Sequence, residues 1–151
     1  ILNVKTQMIL AGRKVNDQMY SFVSNKFLIF LKKKFNKINN KKVLILGFSF
    51  KENCSDFRNT QVIKIYDYLK KNELDVDIYD PIVDPKKVFK TYNLKILKEI
   101  KKKYHGVIIC VGHNIFKKKF EARKIKKILH KNNVVYDFKW LLKKETEIFT
   151  L

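Results

Sequence analysis

No apolar run in this chain approaches the roughly 18 to 20 residues that a membrane helix needs, and its N-terminus carries no signal-peptide pattern. Cysteine is scarce as well. Cys54 and Cys110 lie far apart, with no CxxC and no histidine at ligand spacing, which argues against a metal site or a disulfide scaffold and fits a reducing cytoplasm. Arginine is nearly absent: Arg13, Arg58 and Arg123 are the three among 34 basic residues, which face 14 acidic ones for a formal charge of +20. Such a charge suggests a nucleic-acid or anionic-membrane binder. The shortage of arginine weakens that reading, because base-edge and phosphate readers favour its planar fork. Lysine, asparagine and isoleucine are the residues an AT-rich genome over-uses, so most of the charge reads as codon composition. Neither nucleic acid nor membrane is the expected partner.

What is present is a folded chain. Its 151 residues, 46% hydrophobic and 13% aromatic, suit one core of domain size and exclude a disordered basic tail. Over residues 4–35, Met8, Ala11, Val15, Met19, Phe22, Val23, Phe27, Phe30 and Leu31 recur at three- and four-residue steps. This spacing predicts one amphipathic helix, loosened at Gly12, about 45 Å long. A helix of that length acts between domains or subunits. A polar, basic linker follows over 36–42.

Beyond the linker, short apolar runs alternate with helical segments. Strands are expected over 42–50 (KVLILGFSF), 75–79, 94–97, 106–112 (GVIICVG) and 133–138, and helices over 60–71, 85–92, 98–103 and 121–131. Strands separated by helices imply βαβ units and a parallel sheet covered on both faces. The fold class is α/β, a Rossmann-like doubly wound parallel sheet preceded by a long amphipathic helix.

In such a sheet ligands bind beyond the carboxyl ends of the strands. The first of these loops, residues 47–60, has one glycine, Gly47, and two phenylalanines where a dinucleotide domain carries GxGxxG. NAD in its usual position is therefore not expected here. The loop offers two cations instead, Lys51 and Arg58, which can neutralise a diphosphate; equally, Arg58 can pair with Asp56 or Glu52 on the surface. Asn59 and Thr60 are placed to cap the next helix. Asp80, before Pro81, reads as a turn former more than a ribose ligand, and His113 at a strand end as a hydrogen-bonded structural residue more than a general base. His105 and His130 read as surface positions and Cys110 as core. Cys54 beside the loop cations is a conceivable thiolate nucleophile. Lys139 adds a cation at the same sheet edge, or is an ordinary surface lysine.

The ordered set GFSFKENCSDFRNT (47–60), VDIYDP (76–81), VGHNIF (111–116) and VYDFK (135–139) resembles the C-terminal domain of the UDP-glucose/GDP-mannose dehydrogenase family, and LAGRKVNDQM (10–19) resembles the helix preceding it. KENC and AGRKVND are most similar to the branch that oxidises UDP-N-acetylglucosamine or UDP-N-acetylgalactosamine for capsule or O-antigen polysaccharide. The resemblance implies residues 1–37 as the end of a central dimerisation helix and 38–151 as a UDP-sugar-binding domain. It implies oxidation of a sugar C6 alcohol to a carboxylate with two NAD+, through a cysteine thiohemiacetal and thioester. By it, Phe50, Lys51 and Lys139 contact the UDP-N-acetylhexosamine, Arg58 reaches across the cleft to NAD, no metal takes part, and the enzyme is a homodimer.

Two departures are plain. The family's Gly-Gly-x-Cys nucleophile motif is absent, Cys54 does not match it, and no NAD-binding domain is found in these residues. The chain therefore reads as part of an enzyme of roughly 400 residues, by the usual length per domain, and is not expected to catalyse by itself. A non-catalytic dimerisation scaffold and a polyanion binder are the alternatives.

Overall fold

The computed structural model describes residues 2–119, 122–142 and 148–149. Its elements run α1 (Leu2–Lys34), β1 (Lys42–Leu46), α2 (Val62–Lys71), β2 (Asp75–Tyr79), α3 (Pro85–Tyr92), β3 (Ile96–Leu97), β4 (Tyr104–Ile109), α4 (Asn114–Lys119), α5 (Ala122–Lys127), β5 (Leu129–Tyr136) and β6 (Ile148–Phe149). The six strands form one sheet in the order β3-β2-β1-β4-β5-β6, and every pairing is parallel. The expected α/β class is thus what forms.

β1 and the C-terminal halves of β2, β4 and β5 are apolar and buried because both faces of the sheet are covered there. Val43 and Ile45 join Phe27, Leu31, Ile65, Leu69 and Val88 from α1, α2 and α3. Their neighbours Leu44 and Leu46 turn the other way, toward Phe116 and Ile125 of α4 and α5. This alternation is the two-residue period of a strand read out on two cores at once. Local chemistry bounds α3: Asp84 accepts from Lys86 N and Lys87 N, Pro85 opens the helix, and Asn93 closes it in the left-handed region at φ 52°.

Helix α1 runs unbroken through Gly12, without the expected loosening. At 33 residues it is about 50 Å long. Val23, Phe27 and Leu31, one turn apart, are buried in the sheet core, whereas Ile9, Leu10, Met19, Phe22 and Ile29 are exposed. The side chains of Met8, Arg13, Val15 and Arg123 lie outside the described residues. Gly106 of β4 admits the helix: a Cβ there would lie 2.8 Å from the Phe27 ring and 3.2 Å from Leu31. Among the described residues no helix is long and apolar enough to cross a membrane.

Several boundaries differ from expectation. Residues 98–103 are not helical but a connection from β3 to β4. Four of the six are lysines and only Ile100 is apolar, so a helix there would have no face to bury. Lys101 pairs instead with Glu99 at 2.6 Å and Lys102 with Asp77 at 3.4 Å. The helix expected over 121–131 ends at Lys127; its residue 121 lies outside the described residues, and Leu129 opens β5 opposite Tyr104. Helix α4 has no counterpart among the expected elements. β1 stops at Leu46 because Gly47 takes φ 89° and turns the chain out of the sheet.

Candidate functional site

From β1 the chain passes through α2 to β2 on one side of the sheet, while β4 adds to the other side. The carboxyl ends of β1 and β4 therefore form the topological switch point, where ligands of doubly wound sheets sit. Two segments meet there, the loop 47–61 after β1 and residues 110–113 after β4, and a buried polar network joins them to the end of β2.

Asp80, 2% exposed, is its centre. Its Oδ2 accepts from Phe48 N at 2.6 Å, from Ser49 N at 3.1 Å and from His113 Nε2 at 3.0 Å. Its Oδ1 accepts from Ile82 N at 2.8 Å and Val83 N at 3.3 Å, the turn expected at Asp80-Pro81. Burial disfavours the charge, but hydrogen bonds from His113, Phe48 and Ile82 outweigh it and hold the carboxyl below its ordinary value. His113 is fully buried. Its Nδ1 accepts from Asn53 N at 2.9 Å, so its proton sits on Nε2, facing Asp80 and, at 3.3 Å, Ser49 Oγ. This is the structural histidine that a strand end suggests.

The same contacts test the site against a dinucleotide. In a glycine-rich loop the backbone N–H groups after the first strand face a pyrophosphate. Here Asp80 occupies the N–H groups of Phe48 and Ser49, and the carboxylate that would hold a ribose is sealed in the interior. The switch point of this unit does not fit NAD.

Beside the network a crevice of about 180 Å³ opens between α1, the β1–α2 loop, the start of α2 and the exit of β5. Phe50 and Lys139 line it, with Tyr20, Thr60, Gln61 and Phe138. Phe50 is 49% exposed. Lys139 Nζ lies 5.5 Å from the Phe138 ring, and Asp137 shapes the turn after β5 by accepting from Lys139 N at 3.1 Å and Leu142 N at 2.7 Å. The structure thus brings together two of the four singled-out residues. Lys51, its Nζ 5.7 Å from the Phe50 ring, is outside the lining, as is Arg58.

Arg58, 81% exposed, makes a forked pair with Asp56, Nε to Oδ1 at 3.0 Å and Nη2 to Oδ2 at 2.8 Å. The guanidinium holds the Asp56 carboxyl down at about 2. Of the readings open for Arg58, this conformation shows the surface pair. Cys54 Sγ accepts from Asp56 N at 3.4 Å, a contact internal to the loop. Cys110 is core, and burial pushes its thiol far up. The N-cap of α2 is Gln61, one residue later than expected and without a side-chain cap bond; Thr60, just before it, accepts from Val62 N at 3.2 Å.

His105 and His130 correct the surface reading. Both are half-buried, their rings 4.3 Å apart at the opposite end of the sheet, beside Phe35 and Lys41. β5 begins earlier than expected and carries His130 beside β4. Burial, then the neighbouring His130, Lys41 and Lys42, lowers the pKa of His105, whose Nδ1 also accepts from Lys42 N at 3.2 Å. A depressed folded-state pKa means the unfolded chain binds the proton more readily. His105 therefore contributes stability in full above its unfolded pKa of 6.5 and loses it as pH falls through the lower folded value. Urea unfolding at pH 7.5 and 5.5 is expected to show stability falling with acid, with a shallower fall in His105→Gln; equal slopes in the two proteins would remove this assignment.

Sequence reasoning picked out Asp80, His113, Phe50 and Lys139 singly but missed their mutual contacts and the wall that α1 gives the crevice through Met19 and Tyr20.

The doubly wound sheet and the crevice at its switch point define the class, a Rossmann-like α/β unit whose ligand position lies beyond the strand ends. Residues 44–144 match the model of the UDP-glucose/GDP-mannose dehydrogenase family, UDP binding domain, and the chain belongs to that family. It is 39% identical over 140 residues to the UDP-N-acetyl-D-glucosamine 6-dehydrogenase of Salmonella typhi, a match covering 92% of this chain and 33% of that protein. To the enzyme of the same name from Pseudomonas aeruginosa it is 34% identical over 137 residues, 90% of this chain and 32% of that one. The fold is also that of the UDP-N-acetyl-mannosamine dehydrogenase Cap5O from Staphylococcus aureus, with a TM-score of 0.75 over 98% of this chain and 33% of that one at 21% identity. The chain spans about a third of the length of the curated relatives it matches.

Proposed function

We propose that this chain is the nucleotide-sugar-binding part of an NAD-dependent UDP-N-acetylhexosamine 6-dehydrogenase, a cytoplasmic enzyme supplying capsule or O-antigen polysaccharide synthesis. The observation that carries the reading is the switch-point crevice lined by Phe50 and Lys139, inside the segment that matches the family's UDP binding domain. An aromatic face and a lysine suit a uracil ring and a diphosphate, and Lys51 at the next position supplies a second cation. NAD then belongs outside this unit, since Asp80 fills the place of its pyrophosphate. Arg58 is the residue to meet it across the cleft: an exposed ion pair such as Arg58–Asp56 contributes little and exchanges readily. The exposed apolar residues Ile9, Leu10, Met19 and Phe22 of α1 support a homodimer through that helix.

Calorimetric titration of UDP and UDP-N-acetylglucosamine into the chain tests the reading. Binding is expected, weakened roughly 10- to 100-fold in Lys51→Ala and in Lys139→Ala if each loses a charge-assisted bond, and unchanged in Cys54→Ser. A chain that ignores UDP and binds polyanions with a steep dependence on log salt would instead be the lysine-driven polymer binder.

A further inference from the structure

The β1–α2 loop carries Phe50 and Lys51. Phe48 and Phe57 anchor its two stems in the core, whereas residues 50–53 between them are exposed, and a pair of reciprocal hydrogen bonds ties that exposed tip to the turn after β4. Asn53 N donates to His113 Nδ1 at 2.9 Å, and Asn114 N donates to Asn53 Oδ1 at 2.8 Å. Asn53 reaches this position in the left-handed region, at φ 57°, which asparagine tolerates better than most residues. Inside the clamp the loop is closed twice more, by Ser49 Oγ donating to Lys51 O at 2.8 Å and by Phe50 N donating to Asp56 O at 2.7 Å. His113 is in turn oriented by Asp80 through Nε2. Phe50 and Lys51 therefore stand between two fixed ends, the N–H groups of Phe48 and Ser49 held by Asp80 and the N–H of Asn53 held by His113.

We infer that Asn53 and His113 are positioning residues of the nucleotide site: they do not touch the ligand but hold the loop in the arrangement that sets Phe50 in the crevice wall and Lys51 at its edge. The inference rests on the nucleotide-sugar reading above. It accounts for a buried histidine whose two ring nitrogens are both spent on loop backbone and carboxylate, leaving neither for acid–base chemistry. The energetic logic is pre-organisation, in which order present before binding does not have to be created by the ligand.

Two histidine variants separate the clamp from plain core stability. In His113→Asn the side-chain Oδ1 takes the place of Nδ1 and can keep the Asn53 N–H, while the bond to Asp80 is lost. In His113→Gln the amide nitrogen can keep the bond to Asp80, while the acceptor for Asn53 is lost. Both are measured in the full 151-residue chain by amide hydrogen exchange over residues 48–53, by thermal midpoint and by UDP titration. Expected are faster loop exchange and about five- to tenfold weaker UDP binding in His113→Gln, with both largely kept in His113→Asn at a similar loss of thermal midpoint. Asn53→Gly, exposed and at ease at positive φ, removes the Asn114 contact without touching the core and should loosen the loop and weaken UDP binding with little change in midpoint. Affinity that follows the thermal midpoint across all three variants, or wild-type affinity in Asn53→Gly despite faster loop exchange, overturns the inference. Failure of the unaltered chain to bind UDP overturns the nucleotide reading, and this inference with it.

Discussion

Asp80→Asn is expected to lower the folding stability of the chain by about 3–5 kcal/mol at neutral pH, the range for breaking a buried, fully bonded charged group. Five donors converge on this carboxylate, the N–H groups of Phe48, Ser49, Ile82 and Val83 and the Nε2 of His113. An ionised carboxylate is acceptor-only, so it can serve all of them. Asparagine replaces one oxygen by an NH2 group, and in either orientation that group faces buried donors instead of accepting from them. Each donor left unsatisfied costs roughly 1–3 kcal/mol. The effect has a pH signature with a definite sign. The folded-state pKa of Asp80 lies below the ordinary 3.8 despite burial, because the bonds from His113, Phe48 and Ile82 favour the anion. Its contribution is therefore complete above pH 3.8 and is lost as pH falls through the lower folded value. Urea unfolding of the two proteins at pH 7 should show the large difference, and the gap should narrow below the unfolded pKa. A gap of the same size at about pH 7 and about pH 2.5 would show that the asparagine variant fails for reasons of shape, not charge.

The fold was legible in the sequence because its strands are short apolar runs between helices, and a run buried on both faces needs no register to be recognised. Legibility failed where tertiary context decides. Phe48 and Phe50 extend the apolar run of β1 and so lengthen the expected strand, yet the strand ends at Leu46, since Gly47 turns the chain and Asp80 captures the next two N–H groups. His130 reads as exposed from its lysine-rich surroundings, but β5 begins at Leu129 and sets its ring against His105. The candidate site shows the same division. Phe50, Lys51, Arg58 and Lys139 are visible as chemistry at strand ends. Their contacts are not, because the bonds that arrange the site join residues 32 and 60 positions apart and depend on the parallel register of β1, β2 and β4. The apolar stripe of α1 was equally visible, but a stripe does not say which neighbour it covers, and the part played by Met19 and Tyr20 in walling the crevice follows only from the packing of the helix on the sheet.

A second large effect is expected at Gly47, and a small one of opposite sign at Gly12. Gly47 has φ 89°, a conformation that L side chains rarely adopt, and a Cβ there would lie 2.5 Å from Val111 Cβ and 2.9 Å from both its N and its O. Two of those contacts are backbone, and that backbone leaves β4 toward His113, so no side-chain rotation relieves them. Backbone strain of about 1–3 kcal/mol and overpacking of a further ~1–3 kcal/mol place Gly47→Ala at roughly 2–6 kcal/mol of lost stability. That is a large share of a total that for natural domains is only about 5–15 kcal/mol. Gly12 lies within α1 with nothing inside 4 Å of an added Cβ, so Gly12→Ala should stabilise the chain by about 0.5–1 kcal/mol through helix propensity. Urea unfolding of the two alanine variants side by side checks both signs. A mild Gly47→Ala would mean that the β1 and β4 exits can move apart, and the UDP titration of that variant would then show whether the crevice survives the movement. The lone glycine of this loop is thus required by the approach of a neighbouring strand end, whereas the glycines of a dinucleotide loop are required by the approach of a pyrophosphate; the same residue at the same turn serves packing here.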